Sequence, residues 1–333
     1  MNENSKIAVI GGGSWATALA HVVLQNSSHI NWYIYENEII DHIKQHRHNP
    51  QYLSSLLFDT QQITFYNDIA EVIKESDIIL MVVPSAYVKS TMGLDDIDFS
   101  GKIFISAVKG IIPGDNLTVT QYFGKRYNIP DERLLVISGP SHAEEVAMQR
   151  LTYLTVACSD IKLADEIAGI IKCSFVKTIS STDVVGIEYV AVLKNIFALS
   201  AGIAHGLGYG DNFIAVLVSN ALQEMKRFLN KVHKSSTKRK INHSVYLGDL
   251  LVTAYSQFSR NRTFGTMIGK GYSVKSAQLE MNMVAEGYYA VACIHEMNKN
   301  YEIKLPITEA VYNVLYEKIS PSIEMRLLTE KLH

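Results

Sequence analysis

The sequence predicts an α/β domain with a doubly wound parallel sheet over residues 1–185, followed by an all-α domain over residues 186–333. In the first part, short runs rich in Ile, Val and Leu alternate with segments of helix length. This alternation is typical of a parallel sheet that is covered on both faces. From about residue 185 onward, long helical patterns replace these runs. A length of 333 residues agrees with two domains.

Six apolar runs are predicted to be strands, because each is short and bounded by glycine, proline or polar residues. The six runs are Ile7–Ile10, Ile30–Tyr35, Ile78–Val83, Ile103–Val108, Leu134–Ser138 and Tyr153–Cys158. In the second domain, glycine-rich segments at 205–212 and 269–273 separate the helical patterns. The basic stretch 231–243 is predicted to be an exposed loop.

The composition indicates a globular protein of a reducing compartment. Apolar residues make up 47% and charged residues 19% of the chain, and the net charge of −2 gives no electrostatic basis for binding nucleic acid. Cys158, Cys173 and Cys293 lack the spacing of a disulfide framework or a zinc site. The sequence shows neither a signal-peptide pattern nor an uncharged apolar run of about 20 residues. We therefore expect a cytoplasmic protein without membrane insertion.

A glycine-rich loop lies between the first predicted strand and helix, in "IAVIGGGSWATALA" at 7–20. Gly11 permits a tight turn, Gly13 lets the backbone approach a pyrophosphate, and Ala16 allows the helix to pack closely on the strand. The N-terminus of the helix offers N–H groups to the anion. The motif predicts a Rossmann-type dinucleotide-binding domain; the alternative is a glycine turn that serves only packing.

Glu36 lies at the end of the second predicted strand, 20 residues after Ala16. An acid at this point can accept hydrogen bonds from the adenosine ribose and repel a 2′-phosphate. Because no arginine stands at residues 35–38, we expect NAD(H) to be favoured, with NADP(H) possible. The alternative is a Glu that faces solvent in a strand–helix loop.

Lys194 stands in the middle of an almost wholly apolar helical segment, "YVAVLKNIFALSAGIA" at 189–204. A lysine at such a position either extends its amine to solvent from a partly exposed helix or serves an active site. Since the neighbours on every helical face are apolar, we predict a catalytic lysine. Substitution by Met is then expected to leave the protein nearly inactive yet no less stable, because it removes an unpaired buried charge.

Further polar residues stand in short islands between apolar runs. Lys109 follows a strand, at the carboxyl end where ligands bind in open α/β sheets, and "SGPSH" at 138–142 follows another. Asp249 begins an apolar helix, and "SRN" at 259–261 offers a hydroxyl, a guanidinium and an amide, a set that suits a phosphate. The alternatives are a helix cap for Asp249 and a surface salt bridge for Arg260.

Three histidines, His42, His46 and His48, lie close together in the sequence. Two of them are spaced i,i+4, as a metal site on a helix requires, but no acidic ligands or HExxH context accompany them. A surface helix without a metal is therefore predicted here.

Eight motifs occur in order over nearly the whole chain. They are "GGGSWATALA", "VVPS", "AVKGI", "SGPSHAEEVA", "EYVAVLKNIFALSAGIAHGLGYGDN", "GDLLVT", "SRNRTFG" and "VAEG". Together they resemble the NAD(P)-dependent sn-glycerol-3-phosphate dehydrogenases of the soluble bacterial type. The resemblance implies interconversion of sn-glycerol 3-phosphate and dihydroxyacetone phosphate, which supplies phospholipid synthesis, and a homodimer as the expected assembly.

The resemblance also implies roles for single residues. Lys194 matches the general acid/base of the family, Arg260 and Asn261 its phosphate contacts, and Asp249 a residue that orders the hydroxyls and the lysine. The positions that match substrate contacts are Lys109, Gly139, Ser141, Lys194, Asp249, Ser259, Arg260 and Asn261. Those that match cofactor contacts outside the glycine turn are Ser14, Trp15, Lys109, Ala143, Arg260, Val284 and Glu286.

The sequence departs from the family in three places. Ala16 replaces a common Gly, the stretch Ser219-Asn220-Ala221 replaces a common Thr-Arg-Gly, and 231–243 is longer than usual. The alternative enzyme is a β-hydroxyacid or ketopantoate-type dehydrogenase, which would place Asn four residues after the lysine, where Ala198 stands. A dinucleotide-sensing regulator is the non-enzymatic alternative, and it would need no buried lysine and no phosphate cluster.

Overall fold

The computed structural model describes residues 5–93, 97–234, 239–281 and 284–333. Two predictions fall partly outside the described residues. The stretch searched for a signal peptide includes residues 1–4, and the predicted basic loop includes residues 235–238. The chain forms two compact units. Unit 1 comprises the residues up to 108 together with 119–184, and unit 2 comprises 109–118 together with 185–333. The sequence-based division at 185/186 differs in the segment 109–118, which packs in unit 2.

Unit 1 is built around a sheet of eight strands. The strands of unit 1, numbered in chain order, are β1 Ile7–Ile10, β2 Ile30–Tyr33, β3 Ile63–Tyr66, β4 Ile78–Met81, β5 Ile103–Ser106, β8 Leu134–Ser138, β9 Thr152–Cys158 and β10 Val176–Ser181; β6 and β7 belong to unit 2. Their order across the sheet is β10-β9-β8-β5-β4-β1-β2-β3. All neighbours are parallel except β8 and β9. The predicted Rossmann-type fold class is confirmed.

Two strands, β3 and β10, lie at the sheet edges and escape the sequence-based prediction. Residues of β1, β2 and β4 are buried on both faces, so these strands read as continuous apolar runs. Several residues of β3 and β10 are exposed instead, and their sequences, "ITFY" and "VKTISS", contain polar residues. The sixth predicted strand, β9, is present but runs antiparallel to β8.

Seven helices flank the sheet, joined by short loops. They are α1 Ser14–Val23, α2 Asn37–His46, α3 Ile69–Lys74, α4 Val88–Met92, α5 Val119–Tyr127, α6 Ala143–Ala147 and α7 Ile161–Ile171. Asp68 and Asp160 begin α3 and α7 by accepting hydrogen bonds from the N–H groups of Glu71 and Lys162. α1 is buried on nearly all sides, and its small residues Ala16, Ala18 and Ala20 are fully buried.

In its described residues, unit 2 is helical apart from one two-stranded ribbon, so the predicted all-α character is confirmed. The ribbon is β6 Ile111–Ile112 with β7 Leu117–Thr118, and β6 packs against α13. The helices are α8 Val184–Gly206, α9 Asp211–Val232, α10 Asp249–Tyr255, α11 Arg260–Gly269, α12 Val274–Glu280, α13 Glu286–Asn298, α14 Pro306–Leu315 and α15 Pro321–Thr329.

α8 is the core helix of unit 2. All residues from Gly186 to Ala204 are buried. Within the described parts of the chain it is the one helix that length and apolar composition would allow to cross a membrane, and 89% of its most apolar window is buried inside the protein. The almost wholly apolar sequence is therefore explained by packing on every side of the helix.

Glu224 of α9 is a buried carboxylate at the start of α14. It accepts hydrogen bonds from the backbone N–H groups of Ile307 (2.9 Å) and Thr308 (3.0 Å) and from the Thr308 hydroxyl (2.7 Å). These bonds satisfy N–H groups that a helix N-terminus leaves open. Burial nevertheless raises the pKa of Glu224 to about 7, because desolvation outweighs the hydrogen bonds.

Asn220 of α9, one of the departures from the family, contacts the last residue of the chain. Its Nδ2 donates to the carbonyl oxygens of Val216 (3.0 Å) and His333 (2.8 Å), and its Oδ1 accepts from the N–H of His333 at 3.3 Å. The amide therefore bridges α9 and the C-terminal segment of this chain.

Candidate functional site

The glycine loop of unit 1 connects β1 to α1. Gly11 has a φ of +132°, a backbone conformation that favours glycine. A Cβ on Gly12 would come within 2.9 Å of the Ile34 side chain, whereas a Cβ on Gly13 would meet nothing within 4 Å. Open space thus adjoins the N-terminus of α1, whose first N–H groups lack helical partners. The loop fits the pyrophosphate of a dinucleotide.

Two buried side chains fix the peptide planes of this loop. The Trp32 indole N–H donates to the Gly11 carbonyl at 2.8 Å, and Asn49 Nδ2 donates to the Gly12 carbonyl at 2.9 Å. In a trans peptide the C=O and the following N–H point in opposite directions. Each bond therefore also aims the next N–H group, that of Gly12 or Gly13, away from the core.

Glu36 lies beside the same loop. It is exposed, precedes α2, and places its Oε2 3.7 Å from the position of a Cβ on Gly12. β2 ends at Tyr33, three residues before it, so the strand is shorter than predicted. The carboxylate is thus close to the loop predicted to hold the dinucleotide, as the interpretation of Glu36 requires.

The remaining predicted positions of unit 1 lie at the ends of β8 and α1. Gly139 has a φ of +139°, and a Cβ there would come within 2.6 Å of the Tyr153 carbonyl oxygen. Ser141 donates its hydroxyl to the Gly139 carbonyl at 2.9 Å. Ala143 is buried as the first residue of α6, and the first turn of α1 holds Ser14, buried, and Trp15, half-buried.

The centre of the candidate site in unit 2 is an ion pair between Lys194 of α8 and Asp249 of α10. Their side chains are only 3% and 1% exposed, and Lys194 Nζ contacts Asp249 Oδ1. The lysine therefore has a charged partner, and the alternative of an amine that extends to solvent is wrong. The expectation of an unpaired buried charge is wrong for the same reason.

Asp249 keeps one oxygen without a hydrogen-bond partner in the described part of the chain. The Thr253 hydroxyl donates to the Asp249 backbone carbonyl at 2.6 Å and approaches Oδ1 at 3.5 Å, whereas Oδ2 is buried and accepts no hydrogen bond. A single turn of π-helix, Ser244–Gly248, directly precedes Asp249, a feature often found at functional sites. The unused oxygen can accept a hydroxyl of a ligand.

Lys109 joins this pair from the segment 109–118. Desolvation lowers its pKa to about 7, the charge of Lys194 adds to the effect, and Asp249 opposes it. Asn195 donates its Nδ2 to the Lys109 carbonyl at 2.6 Å, so the residue after Lys194 fixes the backbone of Lys109. Two amines and one carboxylate therefore share a largely dry site, in which Lys109 can exchange a proton near neutral pH.

The "SRN" motif forms the start of α11. Ser259 is buried, and its Oγ accepts a hydrogen bond from the N–H of Arg262 at 3.3 Å. Arg260 is the first helical residue and is near enough to Lys109 to contribute to lowering its pKa. Asn261 Oδ1 accepts from the N–H of Gly287 at 2.9 Å, which ties α11 to the beginning of α13, where Val284 and Glu286 lie.

Four glycines bring α8 and α11 into backbone contact. A Cβ on Gly202 or Gly206 of α8 would overlap the carbonyl oxygens of Arg262 or Thr266. A Cβ on Gly265 or Gly269 of α11 would overlap carbonyl oxygens of α8 in the same way. The helix that carries Lys194 is therefore locked against the helix that begins with Arg260.

Models of the N-terminus and C-terminus of NAD-dependent glycerol-3-phosphate dehydrogenase match residues 6–164 and 183–326. The chain belongs to the NAD-dependent glycerol-3-phosphate dehydrogenase family. The resemblance found in the sequence is confirmed, and with it the enzyme class, an NAD(P)-dependent oxidoreductase.

Individual members of the glycerol-3-phosphate dehydrogenase family are similar over almost the full chain. The glycerol-3-phosphate dehydrogenase (NAD(P)+) of Bacillus pumilus is 33% identical over 334 residues, which cover 98% of this chain and 95% of the relative. A crystal structure of glycerol-3-phosphate dehydrogenase from Coxiella burnetii has a TM-score of 0.91 at 27% identity and covers 98% of this chain and 99% of its own. A ketopantoate reductase from Ralstonia eutropha shares the fold alone. Its TM-score is 0.59 at 12% identity, and the match covers 96% of this chain and 99% of its own.

Two polar residues of the unit 2 site, Asn195 and Thr253, are not among the positions predicted from the sequence. Asn195 directly follows Lys194 in α8, and its side chain contacts the backbone of Lys109. Thr253 stands four residues after Asp249, so it lies on the same helical face, and that spacing could have revealed it.

His42 and His46 of α2 and His48, two residues after its end, form a close group in which His46 is exposed and the other two are half-buried. The ring centroids of His42 and His46 are 4.4 Å apart, and those of His42 and His48 are 4.9 Å apart. Over the described ranges, no group of three or more His, Cys, Asp or Glu side chains is arranged to hold a metal ion.

Proposed function

We propose that this chain interconverts sn-glycerol 3-phosphate and dihydroxyacetone phosphate, with Lys194 as the general acid/base. The observation that carries the proposal is the buried Lys194–Asp249 ion pair with Lys109 beside it. A buried pair with an unused carboxylate oxygen contributes little to stability, but it suits a polar ligand with hydroxyl groups. Family membership supports the reaction and its substrates.

The nicotinamide, when bound, supplies the hydride to C2 of dihydroxyacetone phosphate or takes it from glycerol phosphate. In the reduction, Lys194 donates a proton to the oxygen on C2 as the carbonyl becomes a hydroxyl. Asp249 holds the ammonium in place through Oδ1 and accepts a substrate hydroxyl through Oδ2. Lys109, with a pKa of about 7, can return a proton to Lys194.

The phosphate of the substrate would be bound by Arg260 and the Nδ2 group of Asn261. Arg260 presents a guanidinium fork at the first turn of α11, where the partial positive charge of the helix also favours an anion. Asn261 Oδ1 is bonded to Gly287, so its amide group is oriented with Nδ2 left to donate. Ser259, Gly139 and Ser141 are further contacts that the family match implies.

The dinucleotide would bind the glycine loop of unit 1 through the N–H groups of Gly12 and Gly13. Glu36 lies beside this loop, so we propose that it accepts the adenosine ribose hydroxyls and disfavours a 2′-phosphate. Glu36→Gln should then lower the ratio of kcat/KM for NADH over NADPH. An unchanged ratio would remove Glu36 from the argument. The proposal also includes Ser14, Trp15, Ala143, Val284 and Glu286 as cofactor contacts.

The decisive experiment follows oxidation of NADH and NADPH by purified protein in the presence of dihydroxyacetone phosphate. Lys194→Ala should lower kcat by at least about 100-fold, the usual contribution of a positioned acid or base. Lys275→Ala, at an exposed position of α12, is the matched control and should retain wild-type kcat. If neither cofactor is oxidised by the wild type, the proposed reaction is wrong. If Lys194→Ala raises only KM, the acid/base role is wrong.

The proposal also covers the metabolic role, the location and the assembly of the enzyme. The product would supply phospholipid synthesis, the enzyme would act in the cytoplasm without membrane insertion, and it would assemble as a homodimer. Sedimentation of the purified protein tests the dimer, and a monomer at micromolar concentration would contradict it.

A further inference from the structure

A cavity of about 310 Å³ lies in unit 2, lined by His205 near the C-terminal end of α8 and by residues of α11. Its volume is within the range of sites for small molecules. The polar and aromatic residues that line it include His205, Arg262, Thr263, Thr266, Lys270 and Tyr272. None of them is among the positions that the family resemblance assigns to the substrate or the cofactor.

The lining has the chemistry of an anion site. Arg262, Thr266 and Lys270 are spaced by four residues, so they follow one face of α11 and its C-terminal end. Arg262 offers a planar fork of donors and Lys270 a second positive charge, while Thr263 and His205 offer hydroxyl and ring N–H donors. Of the described residues, no Asp or Glu lines this cavity. An anionic group would therefore meet two positive charges and no repelling carboxylate.

The cavity is separate from the proposed substrate site. Arg260 and Asn261 begin α11, and Asn261 bonds Gly287 of α13. Arg262 follows Arg260 by two residues, which places it about 200° around the helix, on the other side. The lining residues include none of those assigned to the substrate or the dinucleotide.

The cavity is built by the same two helices that carry the reacting groups. His205 belongs to the last turn of α8, which also carries Lys194, and Arg262 belongs to α11, which begins with Arg260. The glycine contacts bring these helices together at the carbonyl oxygens of Arg262 and Thr266, two residues that also line the cavity. A ligand that contacts both helices at this end acts on the contact that fixes their relative position.

We propose that this cavity is a second anion-binding site, which accepts the phosphate group of a small metabolite. A phosphate is favoured because the guanidinium fork of Arg262 matches two of its oxygens and Lys270 balances its second charge. Met267 and Tyr272 supply apolar contact area for the remainder of such a molecule. The site goes beyond the proposed reaction and does not depend on it.

The test uses the full-length protein, inorganic phosphate as the probe and the Met267 methyl group as the reporter. Protein labelled with ¹³C at its methionine methyl groups has ten resonances, and Met267→Leu identifies the one inside the cavity. Phosphate is added at constant ionic strength with chloride as the balancing ion, because general screening must not change. We expect a saturable shift of the Met267 resonance in the wild type and in Arg260→Gln, whose substrate-phosphate contact is removed.

The double variant Arg262→Gln/Lys270→Gln should weaken phosphate binding at Met267 by at least about ten-fold, since charge-assisted hydrogen bonds are lost. Lys275→Gln, outside the cavity, should bind as the wild type does. Lys270→Glu, at an exposed position, replaces the double variant if that protein does not fold, and should also lose binding.

The proposal would be overturned if the Met267 resonance of the wild type showed no saturable shift. It would equally be overturned by a shift that disappears in Arg260→Gln and persists in the double variant, because the signal would then come from the substrate site. Since the measurement needs no turnover, its failure is distinct from failure of the proposed reaction.

Discussion

Replacement of Lys194 by Met is the sharpest test of the buried ion pair. From the sequence alone, this substitution is expected to make the protein no less stable, because it removes an unpaired charge. The structure reverses the expectation, since Lys194 neutralises Asp249 in a setting where both side chains are at most 3% exposed. Met keeps the length of the side chain but leaves the carboxylate buried without its cation.

The cost of breaking a buried ion pair by removing one partner is about 3–5 kcal/mol. Lys109 reduces this cost. Part of the downward shift of its pKa comes from the charge of Lys194, so in the variant Lys109 stays protonated to higher pH and can balance Asp249. We therefore expect a loss near the lower end, about 3 kcal/mol, which corresponds to a decrease in Tm of about 6–12 °C for a unit of this size.

Thermal and urea unfolding of four variants measures the effect. Lys194→Met should be destabilised, whereas Lys194→Met/Asp249→Asn should recover more than half of the loss, because the lone carboxylate is gone. Lys275→Met, at an exposed position, is the control for the change of residue type. Equal stability of Lys194→Met and the wild type would refute the reasoning, as would a double variant no more stable than Lys194→Met. Asp249→Asn completes the cycle.

Three further predictions concern other parts of the chain. The pKa of Glu224 is raised to about 7 in the folded state, so stability should fall as the pH rises from about 4.5 to about 7, by up to about 3 kcal/mol. Urea unfolding of Glu224→Gln should lack this slope, and a slope equal to that of the wild type would contradict the shift. Gly265→Ala should lower the free energy of unfolding by at least about 1–3 kcal/mol and also lower kcat, because its Cβ overlaps the backbone of α8. Gly169→Ala is the control in the same unfolding assay and should be neutral or stabilising, because open space surrounds its Cβ. Asn49→Ala should raise the Kd for NADH about ten-fold in a fluorescence titration, because the Gly12 carbonyl loses its hydrogen bond. Unchanged affinity would show that the glycine loop keeps its shape without this bond.

The central strands could be predicted from sequence because burial on both faces makes them uniformly apolar. β3 and β10 could not, since an edge strand with one open side carries polar residues such as Thr64 and Lys177, and reads like a loop. The antiparallel direction of β9 depends on its pairing with β8 and has no local signal.

The candidate site shows the same limit. Lys194 stood out because a charge in an apolar helix is a local anomaly. Its partner Asp249 lies 55 residues further along the chain, so only the family resemblance, and no local pattern, linked the two residues. Asn195 could not be assigned from sequence, because a spacing rule along one helix cannot reveal a bond to the carbonyl of Lys109, 86 residues earlier.

The excursion of residues 109–118 into unit 2 has a consequence for the time course of synthesis. At roughly 5–20 residues per second, a ribosome needs about 10–35 s to proceed from Lys109 to Glu286, where α13 begins. During that interval Ile111 and Ile112, fully buried in the finished protein, lack the helix against which β6 packs. A nascent chain therefore exposes an apolar segment in its middle, and chaperones have a defined period in which to bind it.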